Sequence, residues 1–236
     1  MKKDIKCVWT IASECGPIRE KNEDSVYPAV SGSTFGIFYA AVCDGLGGHK
    51  GGEIASKIAI DQIKDNSEKL SNILIKADKE IINYQKKNPE YSDMGTTMTL
   101  VSIDTGGNLK LAHIGDSRCY VFSNRNLHQL STDHIVEGFS NMLTQALGLG
   151  KKLEPECVDF QLNIGDVVLV CSDGFYNEVS ESYIKRKLSE GTVADSIVRE
   201  VLINEPKDNV SIVIVNVVEK WILEIYLKKT YIRKTW

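Results

Sequence analysis

Nowhere does the 236-residue sequence approach the ~20 consecutive apolar residues that a membrane-spanning helix needs, so no span is expected. Met1-Lys2-Lys3 gives a positive start, but Asp4, Lys6 and Glu14 interrupt the next stretch, and the apolar centre of a signal peptide is missing. The six cysteines, at 7, 15, 43, 119, 157 and 171, include no C-x-x-C pair, and several lie inside apolar runs where a thiol behaves as a small hydrophobe. A reducing cytoplasm is the simplest setting. The main body has no dense basic block and the formal charge is −4, which argues against a nucleic-acid binder and leaves small acidic or phosphorylated substrates open. Internal repeats and low-complexity stretches are also missing. With 42% hydrophobic and 25% charged residues, the chain has the composition of one globular domain with a sizeable core, and a monomer is expected.

The pattern along the chain predicts strands at 5–13 and 35–43 with a polar, charged loop between them. Glycines at 45, 47, 48, 51 and 52 precede apolar residues at helical spacing from Glu53 to Ile60. A second helix is expected from Ser67 to Lys87, with Leu70, Ile73, Leu74, Ala77, Ile81 and Tyr84 on one side, ending at Asn88-Pro89. Short strands are expected next at 96–103, 109–114, 119–122 and 127–130, separated by turn signals. Strands are also expected at 158–162, 167–171 and 210–218, and helices at 180–188 and 193–202. Because strands and helices are grouped rather than alternating, the reading is an α+β fold of stacked antiparallel sheets flanked by helices.

Three aspartates mark the ends of apolar runs. Asp44 closes the run 35–43, Asp173 comes directly after Val167 to Ser172, and Asp208-Asn209 opens Val210 to Val215. One such residue is ordinarily a turn or cap. Three together point to hard-metal chemistry, since a buried carboxylate needs a cation or several donors to offset its desolvation.

The motifs Gly16-Pro17-Ile18-Arg19-Glu20-Lys21-Asn22-Glu23-Asp24-Ser25, Val42-Cys43-Asp44-Gly45-Leu46-Gly47-Gly48-His49, Gly95-Thr96-Thr97, Gly115-Asp116-Ser117-Arg118, Thr132-Asp133-His134, Cys171-Ser172-Asp173-Gly174 and Asp208-Asn209 occur in one order. In that order the chain, from about 8 to 218, resembles metal-dependent Ser/Thr protein phosphatases of the protein phosphatase 2C family, in their compact bacterial form. The resemblance implies a four-layer α-β-β-α sandwich with two Mn²⁺ or Mg²⁺ ions at one end and a weaker third ion. By that resemblance Asp44 bridges the ions, the Gly45 carbonyl is a further ligand of one, and Asp173 and Asp208 hold the other. Arg19 grips the substrate phosphate, Glu23 and Asp24 act in the outer shell, and Asp116 belongs to the third-metal site. An all-oxygen ligand set suits such ions, and a guanidinium suits a phosphoryl group. The implied activity is hydrolysis of phosphoserine and phosphothreonine on proteins by a metal-activated water, opposing a Ser/Thr kinase in the cytoplasm. The alternative is a catalytically inactive relative that binds phosphoproteins.

The chain departs from the family in two places. Many animal members carry a histidine directly after the Asp-Gly of the second motif, and here Leu46 stands there, leaving His49 or a water to protonate the leaving oxygen. Between Asp133 and Leu147 a longer flap is replaced by a short link containing Val136, Phe139, Met142 and Leu143, read either as a brief helix beside an open cleft or as a reorganised third-metal region. Cys119 and Arg125 satisfy the C-x5-R spacing of cysteine-dependent phosphatases, but Tyr120-Val121-Phe122 reads as a strand rather than a phosphate-cradling loop. The domain is expected over 1–218. Residues 219–236 form a basic, aromatic extension with five basic and two acidic residues. It reads as an extra strand or helix on the body, or as a contact for a partner or an anionic membrane surface.

Overall fold

The computed structural model describes residues 5–47, 50–63 and 69–219; His49 and the extension from 220 onward lie outside them. Every strand pairing among the described residues is antiparallel. One sheet has six strands, β1 (Ile5–Glu14), β3 (Gly32–Thr34), β7 (Arg118–Ser123), β8 (Asn126–Gln129), β12 (Val167–Cys171) and β13 (Val210–Glu219), ordered β3-β1-β13-β12-β7-β8. The other has five, β2 (Ser25–Tyr27), β4 (Phe38–Cys43), β5 (Met98–Ile103), β6 (Asn108–Ile114) and β11 (Glu156–Gln161), ordered β11-β6-β5-β4-β2.

Both faces of each sheet are covered, which is why the central strands read as unbroken apolar runs. In β4, Phe38, Ala40 and Val42 face the sandwich interior together with Val213, Val215 and Val217 of β13. The alternate residues Tyr39, Ala41 and Cys43 pack under α1 (Gly52–Ile60) and α2 (Leu70–Lys87). On the other side, Ile212 and Ile214 of β13 meet α3 (Asp173–Tyr176), α4 (Glu181–Ser189) and α5 (Ala194–Leu202). The helices bury the stripes their spacing predicts: Leu70, Ile73, Leu74, Ala77 and Ile81 in α2, and Ala194, Ile197, Val198 and Val201 in α5. Each such residue contributes roughly 1.5–3 kcal/mol when fully buried, alanine less. The result is the stacked antiparallel sheets expected from the grouping of elements, in the four-layer α-β-β-α order that the family resemblance implies.

Two local expectations need correction. The charged segment before β4 contains the short strands β2 and β3, which pair with β4 and β1 respectively. The link after Asp133 is neither a helix nor bare loop: β9 (Ile135–Val136) and β10 (Phe139–Leu143) form a hairpin of their own, turning at Gly138 with φ +82°. Strands this short give too little periodicity to be read from sequence.

Candidate active site

Strand register brings the acidic residues to one end of the sandwich. β1 pairs with β13 along its whole length, ending at Glu14 opposite Val210, so the loop 15–24 must lie against Asp208 and Asn209. Cys171 pairs with Ile212, which runs the chain after β12 back past the residues before β13. There Gly174 is obligatory, because a Cβ would collide with the Asn209 carbonyl. On the other sheet Val42 pairs with Thr99, and the chain continues so that the Asp44 amide donates to Thr97 Oγ1 at 2.9 Å while the Thr96 hydroxyl donates to the Asp44 carbonyl at 2.8 Å. Gly45 passes the backbone of Gly52 so closely that a Cβ would sit 2.5 Å from it.

An open cleft of about 630 Å³ results, lined by Arg19, Asp44, Gly45, Asp116, Asp173 and Asp208, with Lys207 and Glu178 at its margin. Asp44 and Asp173 stand close enough for each to perturb the other's titration, whereas Asp208 is turned to Arg19, whose Nη2 donates to its Oδ2 at 2.8 Å. Arg19 Nε also donates to the Lys207 carbonyl at 3.2 Å, and Nη1 lies 3.9 Å from Glu23. Asp24 is nearly buried, at 8% exposure. Its Oδ2 accepts from Ser172 Oγ at 2.8 Å, and its Oδ1 has no partner among the described residues.

The electrostatics are those of carboxylates forced together. Burial, with the charges of Asp24, Asp173, Asp116 and Asp208 as lesser causes, pushes the Asp44 carboxyl well above its usual range. Burial and then Asp173 raise Asp116 to about 7, and burial lifts Asp24 to about 7 although the Ser172 hydroxyl opposes the shift. Asp173 is raised by burial and by Asp208. Among the described residues lining the cleft, the cations Arg19 and Lys207 are outnumbered by the carboxylates of Asp44, Asp116, Asp173, Glu178 and Asp208. A donor set of this kind, with an orphaned Asp24 oxygen beside it, fits hard divalent cations.

Of the sequence-predicted site residues among the described ones, Arg19, Asp44, Gly45, Asp116, Asp173 and Asp208 line this cleft, whereas Glu23 stands beside Arg19 and Asp24 is buried against Ser172, outside the lining. The hairpin β9–β10 borders the cleft through Met142 and Leu143, with Phe139 and Met142 62% and 54% exposed. The cysteine alternative is excluded. Cys119 is buried in β7 opposite Val170, burial pushes its thiol to about 12, and Arg125 sits at φ +64° in the tight turn joining β7 to β8.

Several supporting residues had no separate signal in the sequence. Asn209 ties the loop together: its Oδ1 accepts from the Glu23 amide at 2.8 Å, and its Nδ2 donates to the carbonyls of Cys15 and Lys21. Tyr176 donates to the Asp116 carbonyl at 3.1 Å and lies under the Arg118 guanidinium, 3.6 Å from its ring centre. Arg118 in turn makes a two-pronged bond to Asp133, with Nη2–Oδ2 at 2.7 Å. In the sequence Asn209 stands out only as the residue after an aspartate, and Tyr176 carries no signal at all.

Comparison with known proteins accords with this geometry. The family model described as protein phosphatase 2C matches residues 19–202, so Asp208 lies just past the matched span. The serine/threonine protein phosphatase PstP of Mycobacterium tuberculosis is 31% identical over 89% of this chain, which spans only 45% of PstP's length. The serine/threonine phosphatase stp of Listeria monocytogenes is 29% identical, with 85% of this chain and 92% of that protein covered. The crystal structure of the PstP catalytic domain in complex with two manganese ions superposes with a TM-score of 0.79 at 29% identity, covering 91% of this chain and all of that one.

Proposed function

This chain belongs to the protein phosphatase 2C family, and from that membership we propose that it is a metal-dependent phosphatase hydrolysing phosphoserine and phosphothreonine on proteins. The observation that carries the reading is the convergence of Asp44, Asp116, Asp173 and Asp208, from the ends of strands in both sheets, on one cleft that also holds Arg19. The relative crystallised with two manganese ions supports a manganese or magnesium pair here. Asp44, the Gly45 carbonyl, Asp173 and Asp208 are the proposed ligands, and Asp116 the outlying one. Bound there, such a pair would acidify a water and offset the negative charge that builds on the phosphoryl oxygens.

The chain's own residues supply the rest. Arg19 presents a planar fork suited to two phosphoryl oxygens, and its Nη2, bonded to Asp208 here, would be free for substrate if Asp208 held a cation. Asp24 is buried, with one oxygen held by the Ser172 hydroxyl, and its charge bears on Asp44. Thr96 and Thr97 fix the backbone at Asp44, so that its carboxylate is held without help from flexible loop. Phosphorylated proteins and an opposing Ser/Thr kinase are the proposed partners. The proposed catalytic unit is a monomer spanning 1–218, in the cytoplasm; no helix of the described residues is long and apolar enough to cross a membrane.

The test is phosphate release from a phosphothreonine peptide with Mn²⁺ titrated in. Wild type is expected to show metal-dependent turnover, and Asp44→Asn to lose at least about 10²-fold in kcat while keeping its circular dichroism spectrum. Equal turnover in the two proteins, or none in wild type at saturating Mn²⁺, ends the proposal.

A further inference from the structure

A second cluster of metal-binding side chains lies outside the cleft. His113 on β6 stands directly opposite Glu156 on β11, so the two project from the same face of the sheet, and His134 reaches the same place from the segment after β8. One ligand atom from each of the three lies within 4.8 Å of the other two. The rings of His113 and His134 are stacked, with centroids 4.9 Å apart.

The hydrogen bonds define what each ring offers. Thr99 Oγ1 donates to the Ser117 carbonyl at 2.7 Å, so it must accept from His113 Nδ1, 2.9 Å away. His113 therefore carries its proton on Nδ1 and leaves the lone pair of Nε2 free. That atom belongs to a side chain with 0% exposure and has no partner among the described residues. A hydrogen bond from the far nitrogen to an oxygen is how metal-binding imidazoles are usually oriented. Burial and the neighbouring His134 lower the His113 pKa to about 4, so the ring is neutral near pH 7. Glu156 accepts from the amide and hydroxyl of Thr132 at 2.7 and 2.9 Å, which orients it and leaves lone pairs on both oxygens. His134 Nδ1 accepts from the Gly115 amide at 3.1 Å. Nε2 of that ring becomes a ligand only if the proton shifts to Nδ1 and this one bond is given up.

We propose that His113, His134 and Glu156 form a separate divalent-metal site that takes zinc in preference to magnesium or manganese. Two imidazoles and one carboxylate are a zinc-type ligand set with a fourth position left for water, whereas magnesium favours oxygen ligands and dehydrates reluctantly. The site adjoins the turn that presents Asp116, since the His134 amide donates to the Gly115 carbonyl at 2.8 Å. Zinc there would brace that turn from behind.

The chain has four histidines, so carbon–proton correlation spectra of the imidazoles can follow each one. With Mg²⁺ at saturation, Zn²⁺ is titrated into the full-length protein, and His134→Asn and His113→Asn assign the signals. The expected result is that the His113 and His134 signals move together and saturate at one equivalent, and that Glu156→Gln weakens this response by at least about tenfold. If His113→Asn does not fold, His134→Asn and Glu156→Gln, both at partly exposed positions, carry the test. Zinc that leaves these two signals in place, including zinc taken only by the acidic cleft, overturns the proposal. So does an unchanged response in Glu156→Gln.

Discussion

Replacing Asp116 by asparagine is expected to stabilise the metal-free protein above neutral pH, although it removes a charged residue from the cleft. Burial and the Asp173 charge push the folded carboxyl up to about 7, against roughly 3.9 in an unfolded chain. Between those values the native state holds a proton that the unfolded state has released, so unfolding free energy falls as pH rises. The cost of ionising this group in the fold is absent below about pH 4, grows through the interval, and is complete above about pH 7. A difference of about three units corresponds to ~4 kcal/mol at most. Asparagine does not titrate and avoids that cost. Urea unfolding in excess EDTA should therefore give similar stabilities for the two proteins at pH 4.5, and a variant more stable by a few kcal/mol at pH 8.5. Saturating Mn²⁺ should reduce or invert the advantage, because wild type then has a cation to offset the charge. A variant less stable by the same amount at both pH values would refute the view that this carboxylate is held against its neighbours.

Arg19→Ala should raise KM for a phosphopeptide and weaken inhibition by inorganic phosphate by about 10-fold or more, with a smaller fall in kcat, as steady-state kinetics would show. A drop confined to kcat would contradict the phosphate-gripping role. Arg118→Met should cost ~3 kcal/mol in denaturant unfolding, since it strands the largely buried Asp133 carboxylate without its two-pronged partner; a loss under 1 kcal/mol would mean water replaces the pair. Gly45→Ala must displace the backbone of Gly52, so both metal-dependent turnover and thermal stability should fall, measured by phosphate release and calorimetry. Wild-type values for that variant would show that the 45–52 contact relaxes freely.

The sheets and helices were legible because each apolar stripe obeys its period: β4, β12 and β13 are continuous runs covered on both faces, and α2 and α5 repeat at three and four residues. The aspartates could be singled out because they interrupt such runs at their ends. What escaped was whatever depends on register between distant strands. Asn209 bonds to residues 15, 21 and 23, and His113 meets Glu156 only because β6 and β11 pair with those two positions opposite. In the sequence, His113 was just one polar residue in a strand. The β9–β10 hairpin was illegible for another reason, being too short to show alternation.

Asp44 hangs from the five-stranded sheet, Asp173 and Asp208 from the six-stranded one, and Asp116 from the connection between the two. An ion gripped by members of both groups would act as a clasp across the mouth of the sandwich. Sliding one layer over the other by even an ångström would change the span between jaws, so cation affinity becomes a gauge of how the layers are seated. Packing changes deep between the layers, far from any phosphate, should therefore be felt first as altered metal demand.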